Sequence, residues 1–488
     1  MEPDIKVKNN TAPSNNSASL FESRPPSLQI NDATDGTEAM TNKDSFDDNH
    51  KAMAGSSSDP ESGLPEKELP SQLEAPTPVH HDRPQPPNGG LTAWVQVVAG
   101  FAIFFNTWGV LNTFGVFQTY YETGQLFVES SSNIAWIGAI QSYCVLLGGL
   151  VAGPIYDRGY FRHLILSGSF LIVLGFMMLS ICHTYWQALL AQGFCSGIGA
   201  GLLFVPSLAV LPAYFSTRLG LAMGLAASGS SLGGVIYPIM FYRLLVIHDV
   251  GFGWAVRGLG FVALLTLVVP VCFMRMGAKP IKPRAIFDWT VLTDWPFLIF
   301  TVATTIGFVG LYVVLFYVSY FAFETHAASA EMAFYLVPVL NVASMFGRTL
   351  PNALSDKTGP INLLVPGAII CGGLTFAMIG VESLAGIIIF TLLYGFFSGV
   401  FIALPPVCFV RLTADKSKIG TRMGIGFACF GCGVLVGGPG GGGVLGIDPA
   451  NLHWTSLWVY GGTFAFVSGF LLAGLRFWLS KGKLLAKV

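Results

Sequence analysis

The sequence predicts an all-α membrane protein of twelve transmembrane helices arranged as two six-helix pseudo-repeats. Three observations predict it. Apolar stretches long enough to span a bilayer recur from Leu91 onward, only 11% of residues are charged, and Lys and Arg gather in alternate loops. A soluble domain carries roughly 25% charged residues, whereas here 52% of the chain is hydrophobic. The net charge of -1 provides no field for nucleic acid or an acidic partner.

Residues 1–88 hold fifteen of the 27 acidic and seven of the 26 basic residues, with Phe21 and Phe46 their only aromatics. So polar a segment cannot bury enough apolar surface to offset the entropy of ordering, which predicts a disordered N-terminal tail. Met1 to Leu20 contain no apolar signal core, so the first span is expected to act as the insertion signal and leave the tail in the cytosol.

A helix needs about 20 mainly apolar residues to cross the hydrocarbon core. The first six such stretches are 91–117, 134–156, 164–182, 187–211, 219–241 and 254–275, a bundle expected over 89–275. After a cytosolic linker, 276–294, six more follow at 295–321, 332–353, 361–381, 385–409, 421–446 and 454–477. The second bundle is expected over 295–478, with a short cytosolic tail at 479–488.

Cytoplasmic loops concentrate Lys and Arg. The loops after even-numbered spans carry Arg158, Arg162, Arg218, Arg275, Lys279, Lys357, Arg411, Lys416 and Lys418, and Lys481 and Lys483 follow the last span. The opposite side, that of the odd-numbered loops, carries only Arg243 and Arg257, with Glu122, Glu129, Glu324, Glu331, Glu382 and Asp448. Both termini are therefore expected in the cytosol, in a protein of the plasma membrane. All eight cysteines fall in apolar stretches, so no disulfide framework is predicted.

The halves echo each other. Asp157-Arg158-Gly159 after span two is answered by Asp356-Lys357-Thr358-Gly359 after span eight, 199 residues on. Thr217-Arg218-Leu219-Gly220-Leu221 at span five is answered by Thr421-Arg422-Met423-Gly424-Ile425 at span eleven, 204 residues on. Paired motifs at corresponding loops are the mark of a carrier built from parallel repeats.

The run Gly153-Pro-Ile-Tyr-Asp157-Arg158-Gly159-Tyr-Phe-Arg162 resembles the loop motif of the major facilitator superfamily. Within it, Tyr214-Phe215-Ser216-Thr217-Arg218-Leu219-Gly220-Leu221-Ala222-Met223-Gly224 and Asn88-Gly89-Gly90-Leu91-Thr92-Ala93-Trp94 are similar to signatures of the monocarboxylate transporter family, in its fungal style. The resemblance implies a secondary transporter of monocarboxylates or related organic anions, a small-molecule partner, and coupling to protons. Loop charges can pair in one state of a carrier and release in the other. Asp157, Arg158, Arg218, Asp356, Lys357 and Arg422 are accordingly expected to latch the even-loop side.

Arg348 is an ionisable residue inside a span, eight positions before Asp356 and so roughly 12 Å up the helix. Such a residue costs about 3 kcal/mol to insert and asks for a reason. Gly149 holds the corresponding place in the first repeat, so the repeat itself does not require the arginine. A guanidinium presents a rigid fork that fits a carboxylate. The resemblance gives Phe346-Gly347-Arg348-Thr349-Leu350 the substrate-anion role and matches Asn112 to a substrate position; Ser344, one turn before the arginine, and Asn341 and Tyr143, polar or aromatic residues on the spans, are further binding candidates. Asn112 and Ser344 stand where lactate carriers of that family have a lysine and an aspartate. Every acidic residue after the tail falls at a loop or span end, so no buried carboxylate is expected as a proton relay.

Asn106, Gln141, Gln192 and Tyr335 suit interhelical hydrogen bonds as well as they suit a cavity. The glycine-rich runs near Gly193–Gly201 and Gly437–Gly443 lack the lysine of a phosphate loop and read as helix-packing surfaces. No catalytic or metal-ligating constellation appears, so neither an enzyme nor a cofactor is expected. Export or import of a larger or neutral metabolite, secondary metabolites included, stays open, as does a non-transporting sensor on a carrier fold.

Overall fold

In a computed structural model of the chain, residues 89–215, 219–248, 250–277, 288–415, 418–446, 451–483 and 486–487 are described. The tail 1–88, Arg218, Lys279, Lys416, Asp448 and much of the linker lie outside them, as does the side chain of Asp356.

Among the described residues twelve helices are long and apolar enough to cross a membrane. They are α1 (Leu91–Glu122), α2 (Ser131–Asp157), α3 (Phe161–Leu179), α4 (Tyr185–Ala213), α5 (Leu221–Leu245), α6 (Gly251–Phe273), α7 (Trp295–Glu324), α8 (Ala330–Ser355), α9 (Pro360–Gly380), α10 (Leu384–Leu412), α11 (Ile419–Leu445) and α12 (Trp454–Leu479). Each meets one of the apolar stretches read from the sequence. Helix starts lie before the apolar stretch where a polar residue caps the first turn. Ser130 accepts a hydrogen bond from the Asn133 amide, Ser329 from Met332 and Ser383 from Gly386, satisfying donors a helix start would otherwise orphan.

α1 reaches Glu122, beyond the 117 expected, and it is interrupted at Thr107 and Thr113. Both threonine hydroxyls donate to the carbonyl four residues back, Ile103 and Gly109, each at 2.9 Å. Such back-bonding bends a helix. Phe170, Phe261, Leu265 and Phe470 stand exposed along the spans, while Trp186, Trp254, Trp295 and Trp478 are exposed near their ends. An apolar waist with tryptophans at both rims is what a lipid bilayer selects.

The repeat seen in sequence is a repeat of contacts. Gly148 of α2 packs on the Gly201 backbone of α4, and Gly347 of α8 packs on the Phe396 carbonyl of α10. These two glycines are 199 residues apart, the same offset as Asp157 and Asp356. Gly159 and Gly359 follow α2 and α8 at φ of 95° and 97°, the left-handed region that favours glycine.

The halves meet along α2 and α11, α5 and α8, and α1 and α7. Toward the odd-numbered loops they close. Ser132 Oγ donates to the Pro439 carbonyl at 2.9 Å, and Phe114 packs on Phe316 with ring centroids 4.7 Å apart.

At the even-loop side, the short 3-10 turn Trp289–Thr293 ends the linker. Asp288, almost fully buried, accepts hydrogen bonds from Lys418 Nζ and Arg422 Nε at 3.1 Å each and from the Thr290 hydroxyl at 2.7 Å. Arg422 also pairs with Asp294 at the start of α7 at 2.5 Å and lies over the Phe297 ring. Burial pushes the Asp288 carboxyl up, but its bonds from Thr290, Arg422 and Lys418 prevail and hold it well below the usual carboxylate range.

Three outcomes follow from these contacts. Gly347→Ala, which drives a methyl into a backbone carbonyl, should lower stability in detergent by about 1–3 kcal/mol. Gly153→Ala, with nothing within 4 Å of the added carbon, should leave the melting temperature unchanged or raised. Asp288→Asn should destabilise the protein at neutral pH. Because a depressed carboxyl stabilises above its unfolded pKa of about 3.9 and loses that contribution as pH falls through its folded value, the gap between variant and wild type should close only in strong acid.

Candidate functional site

Helical spacing of three and four places Asn341, Ser344, Arg348, Asn352 and Ser355 on one face of α8. That face is turned inward, since Asn341, Ser344, Arg348 and Ser355 are all buried. Arg348 Nε donates to Ser344 Oγ at 3.2 Å, and its Nη1 donates to Ser230 Oγ of α5 at 2.7 Å. Asn352 Nδ2 donates to the Arg348 carbonyl at 2.8 Å. Tyr312 of α7, beside Ser142, comes within electrostatic reach of the guanidinium. Among the described residues no carboxylate pairs with Arg348. A buried cation is thus held by two neutral hydroxyls, which accept from two of its nitrogens, and among the described residues no ion pair compensates its charge.

Beside it lies a cavity of about 150 Å³ between the halves. Its walls are aromatic: Phe104 and Trp108 of α1, Phe204 of α4, Phe308 of α7 and Phe427 of α11. Phe204 ties this wall together, with ring centroids 5.7 Å from Phe104, 5.3 Å from Trp108 and 5.9 Å from Phe427. Polar groups enter from α8 as Arg348, Asn352 and Ser355. The cavity runs along α8 from Arg348 toward the even-loop end, away from the closed odd-loop side. It can take a largely apolar body with one acidic group.

The sequence candidates divide. Arg348 lines the cavity and Ser344 supports it from one turn back. Asn341 is buried on the same face but packs on Gly234 of α5 and donates to the Val337 carbonyl. Tyr143 packs on Gly431 of α11. Asn112 is buried between the two interruptions of α1, its Nδ2 without a hydrogen-bond partner, and it does not line the cavity. Three of the lesser candidates bind helices together. Asn106 bonds to Thr266 and Tyr237, Gln192 to Tyr121, and Tyr335 to Arg243.

Of the latch residues, Asp157 is buried at the end of α2, while Arg158 and Lys357 are exposed. Arg422 takes its partners, Asp288 and Asp294, from the linker and the start of α7. Arg218 and the side chain of Asp356 lie outside the described residues.

Sequence reasoning missed Ser230, a serine within a run of small residues, and the aromatic wall, whose phenylalanines read like any lipid-facing ones. Glu122 lies at the end of α1, beyond the 117 expected for that span, and is buried, with Gln118 Nε2 donating to Oε1 at 3.1 Å and Ser131 Oγ to Oε2 at 2.9 Å. Its place at a loop or span end did not reveal this burial.

The Major Facilitator Superfamily profile matches residues 97–405. The MFS-type transporter dbaD of Emericella nidulans is 56% identical over 79% of this chain and 86% of its own length. The Aspyridones efflux protein apdF of the same organism is 35% identical over 78% of each chain. Among solved structures, the nucleoside transporter NupG superposes with a TM-score of 0.61 over 79% of this chain and 99% of its own, at 13% identity, a likeness of fold. With twelve spans, a repeat carried by glycine contacts and a cavity between the halves, the chain is a transporter and belongs to the Major Facilitator Superfamily.

Proposed function

We propose that the chain exports amphipathic organic acids, an apolar body bearing a carboxylate or comparable anionic group, by alternating access. The observation that carries this reading is Arg348, a buried guanidinium that pairs with no carboxylate among the described residues and lines an aromatic cavity. An acid entering beside it supplies the missing countercharge, and the aromatic walls receive its apolar part. The even-numbered loops, richer in Lys and Arg, face the cytosol in this reading, so the cavity loads from inside. Export is further supported by a relative named for efflux of aspyridones.

Small monocarboxylates moved with protons, as in lactate carriers, fit less well. Asn112 and Ser344 cannot exchange protons with the site. A neutral metabolite is the second reading, favoured by the preponderance of apolar lining. Asp157, Arg158, Arg218, Asp356 and Lys357 keep the role of an even-loop latch, whereas Arg422 serves to anchor the linker.

Transport by purified protein in lipid vesicles tests this, with a panel of aromatic acids and their neutral amides. Arg348→Ala should lower transport of the acids about thirtyfold or more and leave any transported amide unchanged. Acid transport at the wild-type rate by well-folded Arg348→Ala protein would sink the proposal.

A further inference from the structure

Arg348 belongs to α8 in the second half and Ser230 to α5 in the first, so their 2.7 Å hydrogen bond crosses the interface along which the halves must move. The Ser230 hydroxyl has one proton, and that proton is committed to the Ala227 carbonyl at 2.5 Å. What it turns toward Arg348 is therefore a lone pair. Ser344, the other acceptor, lies on α8 itself, so its bond to Nε persists however the halves are placed.

We propose that Ser230 is a placeholder for the substrate, a neutral acceptor that occupies Nη1 of Arg348 and ties the halves together until an anionic oxygen takes its place. This rests on the anion-binding role of Arg348 proposed above. The exchange runs in the substrate's favour, because an ionised acceptor adds Coulomb attraction to the hydrogen bond and can take two guanidinium N–H groups as a fork, which a hydroxyl cannot. Loss of the tie then accompanies loading. Among the described residues the bond to Ser230 is the one hydrogen bond that joins the guanidinium to the other half; Ser344 fixes the side chain's direction throughout. Binding is in this way coupled to motion by competition for one donor, since a ligand shifts a conformational equilibrium only through a difference in its interactions with the two states. Ser230 acts here as a positioning residue.

The test measures two quantities on the full-length protein, benzoate affinity and the distance between spin labels on α5 and α8. Leu221→Cys and Leu354→Cys, both exposed and toward the even-loop ends, would carry the labels in a background without the exposed Cys272 and Cys432. Ser230→Ala should bind benzoate about three- to tenfold more tightly. Without ligand it should also show the distance distribution that the wild type reaches only with benzoate. Ser230→Thr, which restores the hydroxyl, should return both quantities toward wild type. Ser344→Ala should change affinity and leave the ligand-free distances unaltered.

Unchanged or weaker binding in Ser230→Ala overturns the proposal, and so does an unchanged ligand-free distance. An equal distance change in Ser344→Ala overturns it too, because loosening would then follow from any lost hydroxyl. If benzoate binds the wild type and Arg348→Ala alike, the anion site itself fails, and the placeholder with it. That result is separate from one in which Arg348 is needed and Ser230 is not.

Discussion

Lipid tails are as apolar as leucine, so the helices of this chain gain little by hiding apolar side chains from their surroundings. What binds them is close approach, and close approach requires places without side chains. Gly148 against Gly201 and Gly347 against Phe396 are such places, and they recur at one offset because the two halves solve the same packing problem alike. Everything polar in the bundle depends on that spacing. Helices brought so near can exchange bonds through short side chains such as serine, asparagine and threonine, and the interior contains many of these.

Arg348 is possible for this reason. Gly399 of α10 packs against Ser344 and the backbone at Arg348, which sets the α8 face toward α5 and leaves room for two hydroxyls around the guanidinium. A charge that costs about 3 kcal/mol to insert is lodged where the surrounding groups can bond it without neutralising it. The aromatic side chains around the cavity keep water scarce and the field of that charge strong. Geometry and electrostatics thus have the same source, the packing of small residues at two crossings.

The fold was legible because hydropathy, loop charge and repeat spacing are properties of long stretches, and errors at single residues cancel. The twelve spans and the inward arginine were recovered in this way. The remainder of the site was not, since it depends on which face of a helix a residue presents. Phe204 and Phe170 are alike in sequence, yet one lines the cavity and the other meets lipid. Tyr143 and Asn341, read as binding residues, pack on glycines of the opposing half, a contact that no local pattern encodes. Ser230 could not be told from Ser228 or Ser231 beside it. Glu122 shows the same limit for burial: the sequence places it at a loop or span end, but Gln118 and Ser131, which bond to it, decide its surroundings.

The ion pairs of Arg422 and Lys418 with Asp288 have a bearing on the length of chain that joins the halves. Since Asp288 is pinned to α11 and Asp294 to the same arginine, the turn between them moves with the second half as part of its body. The length of chain that joins the halves is therefore counted to Asp288 instead of to Trp295. At its other end Arg275 N donates to Gln96 Oε1 at 2.8 Å and Gly277 packs on Ala213, so the number of residues between Gly277 and Asp288 bounds how far those two anchors can part.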